Sequence, residues 1–207
     1  MKNRSTSGLT AARSFLAAAM LASCLVIAEA RAAVLLDTFG PGNTAPGTDL
    51  SLYNLDVFNQ SLAVPFSTGS QVTVDSILAA ISGTGDVTLG IMADAAGSPS
   101  STYLYSAVLT DPTANVSLTN LGWTLEAGDY WLAAIGVKTF LGAWTGGADA
   151  SMGFAYSANF VDWIFLAPGS SQLAPAALIT TAIPEPATVM LLALGLVGLA
   201  LGRRRLS

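Results

Sequence analysis

Asp86-Val87-Thr88-Leu89-Gly90-Ile91 alternates large apolar residues with polar or small ones. Successive side chains of a β-strand point to opposite faces, so Val87, Leu89 and Ile91 share one face. A helical period would scatter them around an axis. The period of two continues outward in both directions. Upstream, Tyr53, Leu55 and Val57 alternate with Asn54 and Asp56, and Val72 and Val74 alternate with Gln71, Thr73 and Asp75. Downstream, Leu104, Ser106 and Val108 oppose Tyr103, Tyr105 and Ala107, with Val116 and Leu118 and then Met152, Phe154, Tyr156 and Ala158 following. Tyr130-Trp131-Leu132-Ala133-Ala134-Ile135 is instead an unbroken run, which predicts a central strand covered on both faces.

Turn chemistry separates these runs. Gly40-Pro41-Gly42-Asn43, Ser82-Gly83-Thr84-Gly85-Asp86, Gly97-Ser98-Pro99-Ser100 and Glu126-Ala127-Gly128-Asp129 all carry residues that tolerate or fix turn dihedrals. Helix caps followed by long apolar periods are missing from this stretch. About eight short strands over such a span predict an all-β fold, an antiparallel β-sandwich that is jelly-roll-like. The expected domain runs over 33–167, followed by a linker at 168–182 rich in Ala, Ser and Pro.

Composition narrows the function. Of 207 residues, 52% are apolar and 10% charged, none is His, and Cys24 is the one cysteine. An ordinary soluble domain is about 25% charged. The lack of His removes His-containing triads and His-ligated zinc, and one cysteine cannot form an internal disulfide. Between Ala33 and Ile183, Lys138 faces eleven acids, a net charge of −10. Such a body repels nucleic-acid backbones and anionic lipid. The remaining basic residues sit at the two ends.

Lys2, Arg4 and Arg13 precede an apolar run from Phe15 to Ala28, and Ala30-Arg31-Ala32 then places small residues where signal peptidase needs them. Residues 1–32 therefore read as a signal peptide read by the Sec translocon and cleaved after Ala32. Two alternatives stay open: an uncleaved anchor, and a lipoprotein signal, since Leu21-Ala22-Ser23-Cys24 resembles a lipobox. At the other end, Ile183-Pro184-Glu185-Pro186-Ala187-Thr188 is a stiff extended hinge, because each proline fixes its own φ and disfavours helix before it. An uncharged run rich in Leu, Ala and Gly follows. From Ala187 to Gly202 it spans sixteen residues, roughly 24 Å if helical, slightly short of a hydrocarbon core of about 30 Å. Arg203-Arg204-Arg205 then supplies a cytoplasmic stop by the positive-inside rule. These residues predict one short C-terminal transmembrane helix with the body outside the cell. A simple C-terminal anchor is the plainer alternative.

Pro184-Glu185-Pro186, an apolar helix and the terminal arginine cluster, in that order over 183–207, resemble the PEP-CTERM sorting signal of Gram-negative bacteria. The resemblance implies an exosortase as partner, a membrane-embedded cysteine transpeptidase that cuts near Pro184-Glu185-Pro186. It also implies release to the cell envelope or exterior and an association with exopolysaccharide and biofilm systems; the expectation is a structural or adhesive protein that is not an enzyme. Within the body, Asp94-Ala95-Ala96-Gly97-Ser98-Pro99, Leu125-Glu126-Ala127-Gly128-Asp129-Tyr130-Trp131-Leu132 and Trp144 resemble choice-of-anchor extracellular β domains, type R fitting best. That second resemblance implies an envelope domain and carries no catalytic residues.

Candidate sites in the body are few. Trp144 lies in Gly142-Ala143-Trp144-Thr145-Gly146-Gly147, which reads as a loop too rich in glycine to pack it. An exposed Trp144 would stack on a sugar ring, with Thr145 and Asp149 as hydrogen-bonding groups, making a carbohydrate-binding module. Glu126 and Asp129 are the nearest pair of carboxylates for a glycoside hydrolase, although they flank a turn. Asp94, Asp129 and Asp149 are oxygen donors suited to a structural calcium, but no Asp-x-Asp-x-Asp-Gly loop is present. No catalytic residue, cofactor or metal ligand is assigned from the sequence.

Overall fold

Fourteen strands and no helix make up the described part of the chain, residues 32–55 and 58–182 of a computed structural model. The expected signal peptide with Ala30, the sorting motif Pro184-Glu185-Pro186, the membrane helix and Arg203-Arg204-Arg205 lie outside the described residues. Strands β1 (Val34–Asp37), β2 (Asp49–Leu55), β3 (Phe58–Thr68), β4 (Val72–Ala79) and β5 (Ile81–Thr84) open the domain. They are followed by β6 (Asp86–Asp94), β7 (Pro99–Thr110), β8 (Val116–Leu118), β9 (Trp123–Leu125) and β10 (Gly128–Gly136). The last four are β11 (Leu141–Thr145), β12 (Phe154–Ser157), β13 (Trp163–Leu166) and β14 (Ala177–Thr181).

They form two sheets, antiparallel at every pairing. The nine-stranded sheet runs β5-β11-β2-β3-β10-β6-β7, with β12 added to β3 and β13 to β12. The five-stranded sheet runs β1-β14-β4-β8, with β9 also on β4. The apolar sets read from the alternation meet between them. Val87, Leu89 and Ile91 of β6 are fully buried and share one core with Leu52, Leu62, Val64, Leu132, Val74, Ile77 and Ile179. This is a β-sandwich arrangement in which each sheet covers the other's apolar face. At one edge Tyr105 of β7 stacks on Trp123 of β9, centroids 5.5 Å apart and planes at 10°, closing the gap between the sheets.

β10 has the environment its unbroken apolar run requires. It lies between β3 and β6, with Leu132↔Val64 on one side and Leu132↔Ile91 on the other. Tyr130, Leu132 and Ala134 enter the main core. Trp131 and Ala133 point to the outer face, where Ala63, Met92 and Ala155 form a second, smaller cluster with Tyr103, Ile135 and Trp163 packed against it. Phe165 of β13 meets Trp131 edge-on at 6.1 Å.

Two expectations need correction. The span 168–182 is not a linker, because it contains β14, an interior strand bonded to β1 on one side and β4 on the other. Ala174, Ala176 and Ala177 are buried, and the compact unit runs from Ala32 to Ala182. Alanines read as linker material are instead small residues that let the segment before β14 approach the end of β11 and the residues after it: Gly147 N–H donates to Ala174 O at 2.8 Å, and Ala176 N–H to Thr145 O at 2.8 Å. The glycine-rich stretch around Trp144 is likewise no loop. Residues up to Thr145 are β11, seated between β5 and β2, and Gly146 makes an isolated bridge to Pro175. A Cβ on Gly142 would strike the Ser82 carbonyl, and one on Gly147 the Thr38 carbonyl. Glycine here serves close approach of backbones.

Thr38 pins β14 from inside. Its hydroxyl, fully buried, accepts from Ala177 N–H at 2.7 Å and donates to Pro175 O at 2.7 Å. Thr38→Val keeps the shape but strands a buried donor and acceptor. It is expected to lower stability by about 1–3 kcal/mol, read as a fall in the urea midpoint at constant slope.

Candidate functional site

The residues proposed from sequence for sugar contact do not form a site. Trp144 is 0% exposed, and its Nε1 donates to Ala176 O at 2.8 Å in the core. Thr145 Oγ1 donates to Asp49 Oδ1 at 2.7 Å across the β11–β2 pair. Asp149 accepts from both the backbone N–H and the hydroxyl of Ser151, at 2.8 and 2.6 Å, and these bonds hold its carboxyl below the usual range. It shapes its own loop.

Two other acids are brought together. Asp94 ends β6 and Asp129 is the second residue of β10. The last paired residues of these strands are Tyr130↔Ala93, so the alternation puts Asp129 and Asp94 just beyond the ladder on the face that carries Trp131 and Met92. Both line an open depression of about 370 Å³, with Pro65, Ser67, Gly97, Tyr130 and Trp131 among its walls.

Local chemistry explains the shape. Asp94 Oδ2 accepts from Gly97 N–H at 2.9 Å, closing the turn that leads into β7. Ala96 (φ 56°) and Gly97 (φ 85°) take the left-handed region there. Asp94 Oδ1 accepts from the Trp131 indole N–H at 2.8 Å. One carboxylate thus fixes both the turn and the indole. Asp129 is exposed, with its side chain at the rim. On the inner side of the same strand, Tyr130 stacks on Phe66 at 5.7 Å and donates to Glu126 O at 3.0 Å.

The acids singled out from sequence therefore regroup. Glu126 accepts from Gln71 Nε2 at 2.6 Å and is absent from the lining of the depression, so Asp129 is paired with Asp94 instead of Glu126. Asp94 and Asp129 remain candidate oxygen donors for a cation, while Asp149 lies on a separate loop. Among the described residues no group of three acidic, His or Cys side chains converges. Trp131 belonged to the sequence pattern only as a core residue. Its link to Asp94 depends on the β6–β10 register, which alternation alone does not give.

Away from this depression the outer face holds other polar groups. The Tyr103 hydroxyl donates to Thr88 O at 3.1 Å and lies 3.3 Å from Ala133 O, and burial pushes its ionisation upward. Ser61 Oγ and Trp163 Nε1 are enclosed without a partner among the described residues.

An all-β antiparallel domain leads directly into a C-terminal segment of different character. Over residues 182–205 that segment matches the PEP-CTERM protein-sorting motif. The chain is thus an exported protein processed at the membrane by an exosortase. No curated protein matches the chain. Among the described residues no helix is long and apolar enough to cross a membrane.

Proposed function

We propose that the protein is a structural or adhesive component of the cell envelope or extracellular matrix, associated with exopolysaccharide and without catalytic activity. The sorting motif at 182–205 carries this reading, since it assigns the domain to export and membrane processing. The net charge of −10 between Ala33 and Ile183 adds to it, because an acidic domain stays dispersed from anionic lipid and nucleic acid.

The depression at Asp94 and Asp129 supports polysaccharide contact better than Trp144 does. A sugar needs carboxylate acceptors for its hydroxyls and an apolar wall for its C–H face. Asp129 supplies an exposed acceptor, while Pro65 and the outer-face Trp131, which is largely covered, supply the apolar wall. Asp129→Ala removes the acceptor at a rim position where folding has little at stake. It is expected to weaken retention of the exported protein on extracted exopolysaccharide about tenfold, in line with loss of one charge-assisted hydrogen bond. Equal retention of the variant, or no retention of the unaltered protein, rejects the proposal. Reducing sugar released during the same incubation, and lost in Asp129→Ala, would favour a glycoside hydrolase instead.

A further inference from the structure

The match to the sorting motif begins at Ala182, the residue after β14, which is still hydrogen-bonded to the sheet. Its N–H donates to Thr73 O at 2.8 Å. One residue earlier, Thr181 N–H donates to Ala33 O at 2.9 Å, and Thr181 Oγ1 accepts from Ala33 N–H at 2.9 Å. The Thr180 and Ser76 hydroxyls share a hydrogen bond of 2.7 Å. Thr181 is buried, and β14 has a neighbour on each side, so its end is not a loose edge.

Only Ile183 separates this bonded end from Pro184. An extended chain reaches at most about 3.6 Å per residue, so the Cα of Pro184 stays within about 7 Å of that of Ala182. An enzyme that cuts a backbone binds residues on both sides of the scissile bond, and it acts on segments that are open or can open. Ahead of Ile183, residues 180–182 are held by Val34, Ala33 and β4.

We infer that the pairing of β14 with β1 and β4 restrains the start of the sorting segment, so that exosortase processing runs at a rate set by how readily residues 180–182 leave their partners. This rests on the reading that the enzyme cuts near Pro184-Glu185-Pro186. The folded domain then acts as a brake on its own release, held at Ala182 by Thr73 O and at Thr181 by Ala33, whose nitrogen is the terminal ammonium once the signal peptide is removed after Ala32.

The test follows conversion of the full-length chain to the processed product by pulse-chase and intact mass in an exporting host that carries the exosortase. Six Gly and Ser residues inserted between Ala182 and Ile183 give the enzyme a free approach and are expected to accelerate processing by at least about fivefold, the factor corresponding to one net hydrogen bond. Thr181→Val, which removes the acceptor for Ala33 N–H and keeps a β-branched side chain, is expected to accelerate it less. The same six residues placed after Gly169, in a turn away from this pairing, leave the rate unchanged. Wild-type speed or slower processing in the Ala182 insertion overturns the inference, as does equal acceleration by the Gly169 insertion. Alanine at Pro184, Glu185 and Pro186 together should abolish processing with and without the insertion. If the unaltered chain is processed but those alanines do not stop it, the cleavage reading fails first, whatever the insertions do.

Discussion

Trp144→Ala is expected to destabilise the domain by about 3–5 kcal/mol, the range for deleting a large aromatic from a close-packed interior. Trp144 is the largest of the fully buried side chains and lies in the core between the sheets. Truncation leaves a cavity that strands on both sides of β11 cannot fill, because β5 and β2 are held to it in register from Leu141 to Trp144. The lost indole hydrogen bond adds little, since Ala176 O retains the Ala80 N–H at 3.0 Å. Volume dominates. Against a typical total of 5–15 kcal/mol, the variant would be marginal. Urea unfolding of the exported protein reads this as a lower midpoint at an unchanged slope. Trp144→Phe, which keeps most of the volume, should recover much of the loss. An unchanged midpoint in Trp144→Ala would mean that the side chain lies outside the core.

Gly90→Val is the second large effect. Valine favours strands, and the surrounding sequence is a strand, so local propensity alone anticipates a gain. The tertiary structure reverses the sign. Gly90 lies between Ala133 of β10 and Ser106 of β7. A Cβ there would collide with the Tyr105 carbonyl oxygen and come within 2.7 Å of the Ser106 Cβ. These atoms belong to the backbone or its first carbon and cannot swing away. Overpacking at such a point is expected to cost about 3 kcal/mol or more, with β7 losing its pairing to β6. Amide exchange should rise selectively in β7. Gly69→Ala is the matching control, because nothing lies within 4 Å of its added Cβ, and it should shift stability by less than about 0.5 kcal/mol. Equal protection of β7 in Gly90→Val and the unaltered protein would contradict this account.

Much of the architecture was legible because a strand writes its environment into adjacent residues. Val87, Leu89 and Ile91 announced one buried face, and the run from Tyr130 to Ile135 announced two. The sites were less legible. Trp144 was misread because glycine serves both loop freedom and close backbone approach, and sequence alone does not say which. The Asp94–Trp131 hydrogen bond joins residues 37 positions apart and depends on how β6 and β10 are paired. Asp94 and Asp129 were each visible as acids, whereas their place in one depression required the same register.

By itself, the order of residues determined the β period, an acidic body with one lysine, and a C-terminal segment built for sorting. These properties are written over short stretches, either as alternation or as composition. Tertiary structure decided that 168–182 closes the five-stranded sheet, that Trp144 fills the core, and that the sorting segment starts from a strand already bonded on both sides. The contacts responsible, Thr38 to Pro175 and Ala33 to Thr181, join residues 137 and 148 positions apart. Their partners are chosen by which pairing buries the most apolar surface while satisfying every backbone group, a condition on the whole domain that no local pattern encodes.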